Sequence, residues 1–215
     1  MTVMAYDRVN PSPRYKELLA LYRTMHREGD AEHALKPEQT FAGLALATQV
    51  DAVKAMIERY GAESLLDYGC GKASLYFARR IQFPNGRVIE ALPCFWGIRT
   101  FTLYDPGYPR FAEPPAGSFD GVISTDVLEH CPEEDLPWIL AEIMGYARKF
   151  VFANIACYPA KKRLPNGENA HATVREPAWW TRLIEAEAAR HSALAVRFHF
   201  ETPQGQSVFD LPPRG

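Results

Sequence analysis

The spacing of hydrophobic residues divides the chain into helical and strand-like segments. Apolar residues recur at helical spacing in residues 14–29 and 43–60, and these stretches end at Gly29 and beside Gly61. Short apolar runs, typical of buried strands, then alternate with further helical stretches. The strand-like runs are residues 64–69, 100–105, 119–126 and 149–158, and the helical stretches are residues 72–81, 133–148 and 177–191.

Strands that alternate with helices predict a parallel β-sheet covered by helices on both faces. The last two apolar runs, residues 194–200 and 207–211, flank a short segment with Pro203 and Gly205, which is typical of a hairpin turn. We therefore expect an α/β fold with a doubly wound, mostly parallel sheet and a closing antiparallel hairpin.

Composition and charge narrow the class of protein. The 215 residues, 47% hydrophobic and 23% charged, fit one globular domain with a sizeable core. A net charge of -2 shows no basic excess, so nucleic acid is not indicated as a partner. The four cysteines form no C-x-x-C pair, and no apolar run approaches the ~20 residues of a membrane span. With no signal-peptide pattern at the start, we expect a cytoplasmic protein without a membrane partner.

The first strand leads into a glycine turn that carries candidate ligand chemistry. Asp67 ends the strand, and Gly69 and Gly71 leave room for a ligand to approach the backbone, although they equally suit a tight turn. A carboxylate here repels a pyrophosphate but suits a cationic ligand such as S-adenosylmethionine (SAM), which has no phosphate. Asp105 ends the next sheet strand, where it either accepts both hydroxyls of a ribose or simply begins a turn at Pro106.

Three segments in this order, "LLDYGCGKA", "LYDP" and "FDGVISTDVLEHCPEEDLPWILAEI", resemble the nucleotide-binding half of class I SAM-dependent methyltransferases over roughly residues 43–158. The resemblance implies a Rossmann-like fold with a seven-stranded sheet. It also implies a methyltransferase domain over residues 43–215 and an N-terminal helical extension or lid over residues 1–42. The cofactor-binding residues that it implies are Asp67, Gly69, Gly71, Asp105, Asp126, Val127 and Leu128.

The chain departs from the family pattern at two places. Ala73 stands where the family often has a third glycine, and residues 83–97 lengthen the connection to Asp105. We expect this insertion to form a loop over the pocket. For Asp126, a helix-capping or turn role is an equal alternative to a role in cofactor binding.

The loop after the fourth strand-like run holds the candidate base. Methyl transfer requires an aligned acceptor and, for a hydroxyl, removal of its proton. His171 lies in this loop beside Glu168 and Asn169, and a histidine titrates near neutral pH, which suits a general base. A solvated loop histidine is the alternative. The basic run 161–163 of the same loop either faces solvent or binds an anionic acceptor.

Three functions stay open. The first is SAM-dependent methylation of a hydroxyl or amine on a small-molecule or glycan-type acceptor. The second is a metal-assisted RNA 3′-end 2′-O-methyltransferase, which Glu129, His130 and His171 resemble in part. Because that family has a fuller ligand set, we expect no metal requirement. The third is a non-catalytic SAM-binding protein, which the retained glycine turn and Asp105 disfavour.

The sequence leaves the acceptor and the oligomeric state open. No pattern distinguishes O- from N-methylation or identifies the acceptor. The helix over residues 14–29 suits either a lid over the pocket or the contact of a homodimer.

Overall fold

A six-stranded β-sheet forms the centre of the computed structural model, which describes residues 6–30, 32–83 and 85–214. The sheet strands are β1 (Ser64–Tyr68), β4 (Thr100–Tyr104), β5 (Phe119–Thr125), β6 (Ala147–Ala156), β7 (Ala195–Thr202) and β8 (Gly205–Leu211), and a separate hairpin pairs β2 (Ile81–Gln82) with β3 (Val88–Ile89). The order in the sheet is β4-β1-β5-β6-β7-β8, and all neighbours are parallel except β7 and β8.

The predicted fold class is confirmed in its coarse form, but the strand count is wrong. The six apolar runs of the sequence are the six sheet strands, and no seventh sheet strand occurs in the described ranges. Among the described residues between β1 and β5, only β4 joins the sheet, because β2 and β3 pair with each other instead. Phe83 donates its backbone N–H to the carbonyl of Arg87 at 2.8 Å, and Gly86 has a φ of 82°. Asn85–Gly86 is a typical hairpin turn pair, so this segment forms a turn between two short strands.

Six helices accompany the sheet strands in the described part of the chain. They are α1 (Pro13–Glu28), α2 (Val50–Tyr60), α3 (Ser74–Phe77), α4 (Leu92–Trp96), α5 (Leu136–Tyr146) and α6 (Pro177–Ala188), with 3₁₀ turns at Pro37–Gln39, Leu44–Thr48, Pro109–Phe111 and Leu128–His130. The helix predicted over 72–81 is thus only four residues long, because the backbone becomes extended at Ala78. None of these helices has both the length and the apolar character that a membrane crossing requires.

Two apolar layers enclose the sheet. On one face, Val53 and Met56 of α2 pack with Leu65 and Phe152 of the sheet. On the other face, α5 and α6 pack on inward-facing residues of the same strands, with Trp180 fully buried. Because strand side chains alternate between faces, neighbours in one strand enter different layers. The burial of both faces is the physical reason for the near-continuous apolar runs in the sequence.

None of the described residues of the insertion 83–97 lines the ligand-binding cavity, so the expected loop over the pocket is not found in the described part of the chain. Its apolar residues Leu92 and Trp96 are buried against α2, and Trp96 Nε1 donates to the carbonyl of Val50 at 2.9 Å. The amine of Lys54 in α2 donates to the carbonyl of Phe95 at 2.7 Å. Burial of these apolar side chains holds the insertion against α2, on the face of the sheet that α2 covers.

Helix α1 is anchored to the rest of the fold at its start. Ser12 caps α1 by accepting a hydrogen bond from the backbone N–H of Tyr15, and its own N–H donates to Asp135 Oδ1 at 3.0 Å. The guanidinium of Arg8 pairs with Glu142 and donates to the hydroxyl of Tyr104 at 2.6 Å. The division of the chain at residue 43 stays a prediction.

Candidate functional site

The sheet topology creates a crevice between β1 and β5. The two strands are neighbours, but the chain continues from β1 to β4 on one side and from β5 to β6 on the other. Such a reversal opens a ligand-binding crevice at the carboxyl ends of the two strands. A cavity of about 470 Å³ lies there, with Gly69 after β1 and Asp126 after β5 in its lining.

The lining of this cavity includes three walls, and residues of the segments 39–45 and 158–162 also contribute to it. We call Gly69, Gly71 and residues 105–107 the turn wall. We call Asp126, Val127, His130 and His171 the histidine wall. The third wall comes from α1. Its residues are Tyr15, Leu18, Leu19, Tyr22 and His26.

The cavity brings most of the sequence-predicted residues together. Those that line it are Gly69, Gly71, Asp105, Asp126, Val127 and His171. Asp67 and Leu128 are not in the lining and are almost completely buried.

Both glycines of the turn wall have left-handed backbone and close contacts within the chain. Gly69 has a φ of +86°, and an added Cβ would lie 2.4 Å from Val127 Cγ2. Gly71 has a φ of +56°, and an added Cβ would lie 2.3 Å from the carbonyl oxygen of Phe41. The tight-turn interpretation is therefore part of the explanation, since glycine is needed here for chain packing as well as for access to the cavity.

Asp105 holds the turn wall together. Its Oδ2 accepts the backbone N–H of Gly71 at 2.8 Å, and its Oδ1 accepts that of Gly107 at 2.8 Å. Burial raises the pKa of Asp105, and these backbone hydrogen bonds oppose the increase. A carboxylate offers roughly four lone pairs, so each oxygen can still accept a hydroxyl from a ligand.

Asp67 lies behind the turn wall. Its side chain is 3% exposed, and Oδ1 has no hydrogen-bond partner among the residues that the structure describes. Burial, reinforced by the charge of Asp105, raises the pKa of Asp67 to about 7. The predicted contact with the amino group of a cofactor stays a prediction.

The histidine wall groups three potential metal or proton ligands. Asp126, His130 and His171 each offer one ligand atom, and the three atoms lie within 4.8 Å of one another. Asp126 has a φ of +61°, an uncommon conformation for a residue other than glycine. Such backbone is often retained at functional sites.

Backbone carbonyls determine the tautomers of the two histidines. His130 Nδ1 lies 2.8 Å from the carbonyl oxygen of Ala170, and His171 Nδ1 lies 2.6 Å from that of Tyr158. Because a carbonyl only accepts, each Nδ1 carries the proton and Nε2 keeps the free lone pair. Burial lowers the pKa of His130 to about 4. The negative charge of Asp126 opposes this decrease, and the charge of His171 adds to it. His130 is therefore neutral near pH 7.

Glu129 does not belong to this group of ligand atoms, although its carboxyl lies near that of Asp126. Its side chain is fully buried, Oε1 accepts the backbone N–H of Ala156 at 2.7 Å, and Oε2 has no partner in the described ranges. Burial and the nearby charge of Asp126 raise the pKa of Glu129 well above its usual range. The grouping of Glu129, His130 and His171 considered from sequence thus becomes Asp126, His130 and His171.

The loop that carries His171 is held by Asn169. Asn169 Oδ1 accepts the backbone N–H groups of Ala160 and His171, both at 2.9 Å, and Nδ2 donates to the carbonyl of Ala160. Glu168, its predicted companion, instead pairs with Arg14 of α1.

Tyr22 is a site residue that sequence reasoning missed. Its hydroxyl donates to the carbonyl of Ala170 at 2.5 Å and lies 2.9 Å from His130 Nδ1. The sequence pattern marked Tyr22 only as part of the apolar face of a helix, and no local signal distinguishes its hydroxyl contact. Residues 41–43, which cross the glycine turn, also have no recognisable motif.

No protein-family model and no curated protein matches the sequence. Among solved structures, the chain is similar to the crystal structure of magnesium protoporphyrin IX methyltransferase from Synechocystis PCC 6803 with bound SAH, at 18% identity and a TM-score of 0.35. The match covers 62% of this chain and 64% of that one, which is less than two thirds of the other protein's length. Because this similarity is low, the proposed function rests on the side chains of the cavity itself.

Proposed function

We propose that the protein is a class I SAM-dependent methyltransferase that acts on a hydroxyl or amine of a small-molecule acceptor. The observation that carries this proposal is one cavity, at the carboxyl edge of the sheet, that contains the glycine turn, Asp105 and His171. SAM, when bound, supplies an electrophilic methyl group on its sulfonium. The volume of about 470 Å³ is in the usual range for a small-molecule site.

The backbone amides after the glycine turn favour a ligand without phosphate. Those of Lys72 and Ser74 donate to the carbonyls of Phe41 and Ala42 at 2.8 and 3.0 Å, and that of Ala73 donates to Cys70. A dinucleotide would need such amides free at a helix N-terminus. With these donors occupied, the turn wall suits a nucleoside held by its hydroxyl groups at Asp105 better than a pyrophosphate.

His171 is the group that we assign to proton removal. Its Nδ1–H donates to the carbonyl of Tyr158, so Nε2 is the atom that takes the proton lost by the acceptor. The same hydrogen bond stabilises the imidazolium that results, and Asn169 holds the backbone of the loop. The positive charge that the acceptor gains with the methyl group is thus removed as a proton by His171.

Titration calorimetry with the demethylated product, S-adenosylhomocysteine (SAH), tests the cofactor assignment. We expect the wild-type protein to bind SAH and Asp105→Asn to bind it at least about tenfold more weakly, the scale of one charge-assisted hydrogen bond. Asp51→Asn, an exposed acid of α2, is the matched control and should bind normally. Undiminished SAH affinity in folded Asp105→Asn contradicts the assignment.

A metal-assisted reaction is the second candidate, favoured by the grouping of Asp126, His130 and His171. One carboxylate and two imidazoles suit divalent first-row metals, and ligating histidines usually donate their other N–H to a carbonyl or carboxylate, as both do here. An ion held there would orient the acceptor oxygen and lower its pKa. Stoichiometric metal in elemental analysis, with turnover lost after EDTA treatment, would select this candidate. Full turnover by metal-free protein would exclude it.

A further inference from the structure

Two lysines of the cavity wall have no role in the function proposed above. Lys161 and Lys162 both line the cavity, on the loop that leads to His171. In the described ranges, neither ammonium donates a hydrogen bond or forms an ion pair with a carboxylate. Lys162 Nζ instead lies 4.9 Å from the centre of the Phe41 ring, which is a neutral partner.

The loop fixes these lysines relative to His171. Residues 160–171 turn back on themselves, and Arg163 and Asn169 form an isolated antiparallel bridge. The backbone N–H of Ala170 donates to the carbonyl of Lys162 at 3.1 Å. The basic side chains and the candidate base are therefore parts of one hydrogen-bonded loop.

In the described ranges, neither acid of the cavity lining pairs with these lysines. Asp105 accepts two backbone amides of the turn wall, and Asp126 lies with the two histidines. Glu168 of the same loop pairs with Arg14. In the described part of the chain, no carboxylate therefore forms an ion pair with Lys161 or Lys162.

Resting on the proposed function, we infer that Lys161 and Lys162 bind an anionic group of the methyl acceptor, a phosphate or a carboxylate. Two ammonium groups without carboxylate partners, beside a partly enclosed and mostly apolar cavity, attract and hold an anion. Binding an unreactive part of the acceptor orients the part that reacts. The acceptor hydroxyl or amine would then lie next to the anionic group, within reach of His171. The limited size of the cavity and the net charge of -2 favour a small anionic molecule over a polynucleotide.

Anion titrations followed by NMR on SAH-saturated protein test this inference. Inorganic phosphate and acetate serve as probes, and EDTA keeps any metal away from the histidine wall. We expect saturable binding of at least one probe that perturbs signals of the 160–171 loop. In the double variant Lys161→Gln/Lys162→Gln, the dissociation constant of that probe should rise at least about tenfold.

Arg163→Gln is the matched control, because Arg163 belongs to the same loop but donates to the carbonyl of Gly167 and does not line the cavity. It should keep the wild-type anion affinity, and all variants should keep SAH affinity. Binding of phosphate only, or of acetate only, identifies which group the acceptor carries. Bound SAH without anion binding, equal anion binding in the double variant, or preference of these lysines for an RNA oligonucleotide overturns the inference. Absence of SAH binding overturns the proposed function instead.

Discussion

The turn wall and the histidine wall face the same cavity but are built in different ways. The polar groups of the turn wall bond to one another through the backbone, as Asp105 does with Gly71 and Gly107. In the histidine wall, the carbonyls of Tyr158 and Ala170 orient His171 and His130 and leave a lone pair on each ring. In the function proposed above, the first wall would hold the cofactor and the second would supply the reactive atoms.

The largest effect should follow from removing the reactive atom of the histidine wall. We expect His171→Ala to lower the rate of SAH formation by about 100-fold or more, the usual contribution of a general base, with SAH affinity nearly unchanged. The assay uses a panel of hydroxyl and amine acceptors that carry phosphate or carboxylate groups.

His191→Ala is the control for this change, because His191 pairs with Glu187 at the end of α6, outside the cavity. His130→Ala should retain more turnover than His171→Ala if His171 alone moves the proton. Equal losses in both variants would instead favour the metal-assisted reaction.

A comparable change in the turn wall should act on stability. Gly71→Ala places a Cβ 2.3 Å from the carbonyl of Phe41 in left-handed backbone, so we expect a loss of about 3 kcal/mol in the free energy of unfolding. Gly61 has the same φ of +56° but no atom within 4 Å of an added Cβ. Gly61→Ala should therefore lose only about 1 kcal/mol. Equal losses in urea unfolding would mean that the turn wall relaxes around the added methyl group.

Asp67, behind the turn wall, should make stability depend on pH. Its folded pKa of about 7 exceeds the unfolded value near 3.8, so the unfolded chain loses this proton first and stability falls as pH rises between these values. Asp67→Asn should remove this loss and increase stability at pH 8 by on the order of 2 kcal/mol, with no gain at pH 4.

Asp120 provides a control of opposite sign. Burial alone would raise its pKa, but hydrogen bonds from the backbone of Glu63 and from Arg148 lower it. Asp120→Asn should therefore destabilise the protein at pH 8, and the loss should disappear as pH falls through the folded pKa. Urea unfolding between pH 4 and pH 8 measures the slope due to Asp67, and unfolding below pH 4 measures the slope due to Asp120. A flat difference between wild type and Asp67→Asn from pH 4 to pH 8 would contradict the assignment.

The smallest effect concerns the link between α1 and the histidine wall. Tyr22→Phe removes the hydroxyl that donates to the carbonyl of Ala170, so we expect a loss of about 1 kcal/mol in stability. Tyr15→Phe is the control, since Tyr15 also lines the cavity from α1 but its hydroxyl has no hydrogen-bond partner in the described ranges. Thermal unfolding of both variants should show a decrease for Tyr22→Phe alone.

The two walls also differ in how far the sequence predicts them. Gly69 and Gly71 directly follow β1, so local spacing predicts this part of the turn wall, and strand periodicity places Asp105 at the end of β4. The pairing of β1 with β4 then brings Asp105 to Gly71. Asp126 and His171 lie on different loops, and only the sheet order brings them together. The number of residues between Asp126 and His171 does not predict how close their side chains lie in the fold.

Local turns explain the errors in the predicted elements. The apolar pattern of residues 72–81 is helical, but Ala78 is extended and the turn at Asn85–Gly86 draws the chain into a hairpin. Because Asn-Gly is a common pair in hairpin turns, the sequence of the insertion already indicated this turn. The seventh strand came from family resemblance and had no apolar run of its own, whereas every strand with such a run is present.

The anchoring of the first residues has a consequence for where the chain can be cut. Asp135 is completely buried and bonds to the backbone N–H and hydroxyl of Ser12, and Glu142 pairs with Arg8. A chain that began at residue 43 would leave both carboxylates without these donors, at a cost of roughly 1 to 3 kcal/mol each. It would also lose the cavity wall that α1 provides. The proposed catalytic domain and its N-terminal extension are therefore expected to fold as one cooperative unit. A chain shortened to residues 43–215 would be a poor starting point for engineering the site.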